Sequence, residues 1–209
     1  MITKVQGKTL LGQMTVKKQS RLSGVEKAML KWAVIDPDDR LLDANIGNGV
    51  MAEYLRRNMQ CEVCGVSDRM DEVRCARTNL QNCDIVYAAA GDIPWKEHAF
   101  DAVLLQHRGE EPGLWSRVLG EAVRVLRDGG QLILGCVSYP PPLNAVADLI
   151  TADGMEERAA FSRSDTEMML RELGCEQISW RRCGVACGVM IAWKKKKTAG
   201  ELLEMDEEE

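Results

Sequence analysis

The sequence has no apolar run long enough to cross a bilayer, and its start, MITKVQGKTL, lacks a basic-then-apolar secretory pattern. These absences lead to the expectation of a cytoplasmic protein with no membrane partner. An excess of basic residues is missing too: 27 Lys and Arg stand against 32 Asp and Glu, for a net charge of -5. Phosphate binding selects basic surfaces, so no nucleic-acid partner is expected. There is also no second C-x-x-C. Cys61 and Cys64 form one such pair, in a strand-like run where residues three apart face opposite sides. One zinc ion does not take both, and no other pair completes a zinc pattern. The eight cysteines read as scattered buried thiols, and no metal is expected. Internal repeats are absent.

What is present suits one domain with a full core: 209 residues, 45% hydrophobic and 28% charged. Residues 1–38 read as a helical leader. Its end, SGVEKAMLKWAVI, has helical spacing at Val25, Met29, Trp32 and Ala33, with Ser23 and Glu26 as a capping box. Trp32 reads as core packing or as a lid over a ligand. Residues 39–196 then alternate. RLLDA, CEVCGVS, IVYAAAG, FDAVLLQ and QLILGCVS read as strands. NGVMAEYLRRN, MDEVRCARTNLQN and LWSRVLGEAVRVL read as helices, the last with Leu114, Val118, Ala122, Val125 and Leu126 on its apolar stripe and DGG as its closing turn. YPPP, from Tyr139 to Pro142, is a stiff break that either lines a substrate or is a rigid loop. A helix capped by Ser164 and closed by Gly174 follows, then two strands joined by a short link, which favours an antiparallel pair. Residues 197–209 form a charged tail, expected to be disordered. The predicted fold is α/β: a doubly wound, mostly parallel sheet with an antiparallel C-terminal strand.

In such sheets ligands bind at the carboxyl ends of the strands, near the switch point. The first strand ends in LLDANIGNGV, Leu41 to Val50. Gly47 and Gly49 permit tight turns, and the next helix aims its N-terminal N–H groups at the same space. Alone, this reads equally as a cofactor loop or a plain turn. GNGVMA, from Gly47 to Ala52, fits a dinucleotide fingerprint with Asp68 about twenty residues on. That fingerprint places its first glycine straight after the strand, and here residues intervene.

Several motifs in order carry a stronger resemblance. LLDANIGNG is followed by VCGVSDRMDEVRCARTNL, then AGDIPWKEHAFDAVLL, then EAVRVLRDGGQLIL. Over roughly residues 25 to 196 the chain resembles the class I S-adenosylmethionine-dependent methyltransferases, in particular those with small-molecule acceptors. The resemblance implies a seven-stranded Rossmann-like methyltransferase fold, S-adenosyl-L-methionine as cofactor, and in-line methyl transfer from its sulfonium to a small molecule.

The resemblance also implies contacts. Asp43 and the backbone of Asn45 and Gly47 would face the amino acid portion of the cofactor, with Gly49 a cofactor-binding residue of the same loop. Asp92 and Ile93 would flank the adenine. Gln106 and His107 would face the methyl group, with His107 the candidate base where the acceptor must lose a proton. His98, in a polar turn, reads as surface. The family usually carries an acidic residue at the end of its second strand, accepting both ribose hydroxyls. Ser67 stands there, with Asp68 beside it as a substitute or as a solvated cap. Asn45 replaces the first glycine of the loop, and asparagine tolerates left-handed backbone better than most residues. Two alternatives stay open: a catalytically silent binding or scaffold relative, and an NAD-dependent oxidoreductase.

Overall fold

The computed structural model describes residues 21–137, 162–184 and 187–196. The expectations for Tyr139 to Pro142 and for the 197–209 tail lie outside the described residues. The first described helix, α1 (Gly24–Trp32), starts as its sequence dictates. The Ser23 hydroxyl accepts from the Glu26 amide at 3.1 Å, and the Glu26 carboxylate accepts from the Ser23 amide at 2.6 Å. Then come β1 (Arg40–Asp43), α2 (Val50–Met59), β2 (Glu62–Ser67), α3 (Met70–Asn79), β3 (Ile85–Tyr87) and β4 (Phe100–Gln106). The chain continues through α4 (Pro112–Val125), β5 (Leu126–Val137), α5 (Arg163–Glu172), β6 (Cys175–Arg182) and β7 (Cys187–Lys194).

The strands form one seven-stranded sheet in the order β3-β2-β1-β4-β5-β7-β6. The first five run parallel, and β7 lies antiparallel to both its neighbours. The order reverses between β1 and β4, which opens a crevice above their carboxyl ends. Strand alternation divides the core into two. Leu42, Val103, Leu105, Leu132 and Leu134 pack on one face, and Leu41, Ala102, Leu104, Ile133 and Ile191 on the other. Cys64 belongs to the first group and Cys61 to the second, so the two thiols do sit on opposite sides.

Four local expectations differ from the structure. The stripe of α4 differs at its first position: Leu114 is 50% exposed and Trp115 is buried, while Val118, Ala122, Val125 and Leu126 are buried as expected. The Trp115 indole N–H finds a partner in Thr166 Oγ1 of α5, at 3.1 Å, which permits its burial. Residues 127–130 do not turn out of the sheet. They bulge within β5, between the pairs Phe100↔Leu126 and Ala102↔Gln131, with Gly129 at φ 76°. The cap of α5 is Ser162 rather than Ser164, its hydroxyl accepting from the Asp165 amide at 3.4 Å. Trp32 is neither core nor lid. It is 38% exposed and lies under the Lys31 ammonium and the Arg181 guanidinium, the latter from β6, four strands from β1.

Gly49 caps α2 at φ 82°, and a β-carbon there would sit 2.6 Å from Leu80 Cδ1. Left-handed strain and overpacking together make Gly49→Ala costly, by about 2–4 kcal/mol. Urea unfolding measures this; a loss within about 0.5 kcal/mol contradicts it.

Candidate functional site

The loop after β1 crosses from one neighbouring strand to the other. The Ala44 amide donates to the Leu104 carbonyl at 2.9 Å, and the Ile46 amide donates to the Val66 carbonyl at 3.0 Å. Ile46 then packs onto Gly65 of β2, where no β-carbon fits. The loop closes with the Gly49 amide on the Ile46 carbonyl at 2.9 Å. From α3, Asn79 Nδ2 donates to the Asn48 carbonyl at 3.0 Å, so the asparagine that ends α3 braces the loop. The result is a fixed turn with Gly47 at its crest, φ 54°.

Asn45 does not occupy a left-handed conformation; only Gly47 and Gly49 do so within the loop. Its side chain turns down toward β4, where Oδ1 accepts from the Gln106 amide at 3.0 Å. Its backbone carbonyl faces the mouth and accepts from Arg108 Nη2 at 3.0 Å. A β-carbon placed on Gly47 would meet only that same Nη2 and the Asn45 carbonyl oxygen, each at 3.9 Å. The crest is therefore open apart from one guanidinium.

Asp43 lies beneath the loop and is 2% exposed. Burial pushes its carboxyl up to about 7, against the pull of the Asn45 amide, which donates to Oδ1 at 3.3 Å. The carboxylates of Glu26 and Glu72 push it further up, and Arg108 draws it down.

At the end of β2, Ser67 points inward and is buried, while Asp68 is exposed. The Ser67 hydroxyl donates to Glu72 Oε2 at 2.7 Å and accepts from the Arg69 amide at 3.1 Å. Glu72, in the first turn of α3, is thus the carboxylate that meets Ser67. Sequence reasoning passed over it because the pair spans a strand-to-helix turn. The available signal was its place in the turn where acidic residues favour the helix dipole.

Asp92 and Ile93, expected beside the adenine, follow β3 and differ in burial. Asp92 is exposed. Ile93 is buried, its amide donates to Glu121 Oε2 at 2.8 Å, and its carbonyl accepts from Arg124 Nη2 at 2.9 Å. Both backbone groups of Ile93 are committed to α4. Ser67 pairs with Tyr87 of β3, and the Ala88 amide donates to the Ser67 carbonyl at 3.1 Å. Gln106 ends β4 beside Asn45. The His107 side chain is 5% exposed, stands edge-on to Trp115 at 4.7 Å between centroids, and has Nε2 3.8 Å from Glu110 Oε2. Burial holds its pKa below the ordinary value, opposed by Glu110, so the ring is neutral at pH 7. His98 is exposed, with Nδ1 3.4 Å from Asp128 Oδ1.

Asp43 makes stability depend on pH. Its folded pKa, about 7, lies above the ordinary carboxyl value of 3.8. The contribution is fully present below about pH 4 and is lost as pH rises through 7. Asp43→Asn removes this loss, so the variant gains on the wild type by about 2–4 kcal/mol between pH 4 and 8. Denaturant midpoints at the two pH values measure the gain; a constant difference contradicts it.

Comparison with known proteins agrees with this geometry. A family model described as a methyltransferase domain matches residues 42–134. The chain is 33% identical over 148 residues to 27-O-demethylrifamycin SV methyltransferase of Amycolatopsis mediterranei, covering 66% of this chain and 54% of that one. It is 35% identical over 162 residues to sarcosine/dimethylglycine N-methyltransferase of Halorhodospira halochloris, covering 70% and 54%. The chain therefore spans about half the length of these curated relatives. A solved S-adenosylmethionine-dependent methyltransferase from Methanosarcina mazei shares the fold, with a TM-score of 0.62, 21% identity, and coverage of 78% of this chain and 95% of that one. With its motifs in order on this sheet and these matches beside them, the chain is similar to the class I S-adenosylmethionine-dependent methyltransferases over residues 42–134 and shares their fold.

Proposed function

We propose that the protein binds S-adenosyl-L-methionine and methylates a small molecule. One observation carries the reading: a cation already stands at the crest of the loop. The Arg108 guanidinium bridges the Asn45 carbonyl and Glu72 Oε2, the latter at 3.5 Å, with Asp43 in electrostatic reach. Carbonyl and carboxylates around an open glycine suit a ligand bearing a sulfonium and an ammonium. The donor set therefore fits the cofactor, and Arg108 stands in for its positive charge.

When bound, the cofactor supplies an activated methyl group. The chain's part is alignment and electrostatics. Asp43 and the backbone of Asn45 and Gly47 hold the amino acid end. Ala88 and the residues after it take the adenine side, since Ile93 is tied to α4. Asp92, exposed at the rim, accepts from the adenine amino group only at that edge. Gln106 and His107 form the wall where β4 ends, and His107, covered by Trp115, serves as packing rather than as a base. The named relatives act on rifamycin and on sarcosine or dimethylglycine, which supports a small acceptor here.

The dinucleotide alternative is weaker. Its fingerprint needs glycine straight after the strand, yet β1 ends at Asp43 and the first glycine is Gly47. Its acidic residue, Asp68, is exposed. The silent-relative alternative rested on Asn45 and Ser67. Asn45 removes itself from the mouth by bonding to Gln106, which weakens that argument.

Calorimetry with S-adenosylmethionine, S-adenosylhomocysteine and NAD tests the proposal. The expected result is micromolar binding of the first two and none of NAD. No binding of any favours the silent relative, and binding of NAD alone overturns the methyltransferase reading. A cationic ligand needs Asp43 ionised, so affinity for S-adenosylmethionine falls about tenfold from pH 8 to pH 6, with uptake of the ligand releasing a proton. A pH-independent affinity contradicts Asp43 as a contact.

A further inference from the structure

We infer that Glu72 is the residue that reads the cofactor's ribose, taking over the task that the family assigns to the end of β2. The inference rests on the cofactor reading above and extends it to a residue outside the family motif.

A vicinal diol offers two O–H donors, and a carboxylate accepts both with two oxygens. Ser67 is unable to do this. Its single proton is already donated to Glu72 Oε2 at 2.7 Å, and one of its lone pairs holds the Arg69 amide at 3.1 Å. Asp68 points into solvent. Glu72 has about four acceptor sites. Ser67 takes one through a short bond. The other contacts are long: Arg108 Nη1 at 3.5 Å from Oε2 and Arg69 Nη1 at 3.5 Å from Oε1. Acceptor capacity remains on both oxygens.

Position supports the same assignment. The Glu72 side chain is 18% exposed, so it is held at the mouth rather than solvated. One guanidinium touches both Glu72 and the Asn45 carbonyl, and the nitrogen on that carbonyl lies 3.9 Å from a β-carbon built on Gly47. Glu72 is therefore one guanidinium's width from the loop that holds the other end of the ligand. Arg108 precedes Gly109, which has φ 90°, and is 37% exposed in its side chain, so it can leave when a cationic ligand arrives. Ser67 then acts as a positioning residue: its hydroxyl fixes the Glu72 rotamer against the end of β2.

The test is a calorimetric cycle on the full chain with S-adenosylhomocysteine and its analogue lacking both ribose hydroxyls. The wild type should favour the diol ligand by roughly ten- to hundredfold. Glu72→Gln should lose that preference and bind the two ligands alike. Glu72→Asp keeps the charge, withdraws it from Ser67, and should lose the preference as well. Ser67→Asp combined with Glu72→Gln should restore it, by returning a carboxylate to the strand end. Thermal melting confirms that each variant folds. Full diol preference in Glu72→Gln overturns this inference and leaves the methyltransferase reading standing. Failure of the wild type to bind either ligand overturns both.

Discussion

At the switch point the chain leaving β1 must serve two neighbours at once. Ala44 bonds to Leu104 of β4, and two residues later Ile46 bonds to Val66 of β2. Asn45 is the residue between them, and its backbone has to turn its carbonyl out of the sheet. This crossing fixes everything above it. It sends the Asn45 side chain down onto the Gln106 amide, lifts Gly47 to the crest and starts α2 at Gly49. Glycine is not required at position 45 because no left-handed conformation is used there. The asparagine adds a bond between the loop and β4 that a glycine cannot make.

Charge follows from the same geometry. The crossing buries Asp43 beneath an acceptor-rich mouth that also feels Glu26 and Glu72. So much negative charge without a counter-ion is costly in a low-dielectric setting. The protein holds Asp43 near its titration point and lays Arg108 across the opening. In the structure the Arg108 guanidinium is the positive charge at this mouth, on the Asn45 carbonyl and near Glu72. Affinity for a ligand is then a difference between two occupants, Arg108 and the incoming charge, rather than the filling of an empty space.

Much of the fold was legible in the sequence because local signals and tertiary context agreed. FDAVLLQ forms β4 with the bounds read from its apolar run, and the Ser23–Glu26 box sits where its spacing placed it. Misplacements occurred where a partner distant in sequence decides. Trp115 is buried because Thr166, 51 residues on, accepts its indole proton. The Asp-Gly-Gly run stays in the sheet because β4 pairs on both sides of the bulge. At the site, the loop itself was readable, but the direction of Asn45 depends on Gln106, 61 residues away. Glu72 was invisible for a similar reason. Its meeting with Ser67 is set by how α3 leaves β2, and no residue pattern states that angle.

The central claim is that the crest of this loop takes an adenosyl cofactor in place of Arg108. A crystal structure with bound S-adenosylhomocysteine tests it most directly. The account predicts ligand density running from Gly47 to Glu72, ribose hydroxyls on the Glu72 carboxylate, and Arg108 moved off the Asn45 carbonyl. Ligand density elsewhere, with the Arg108 bridge between Asn45 and Glu72 intact, would contradict it.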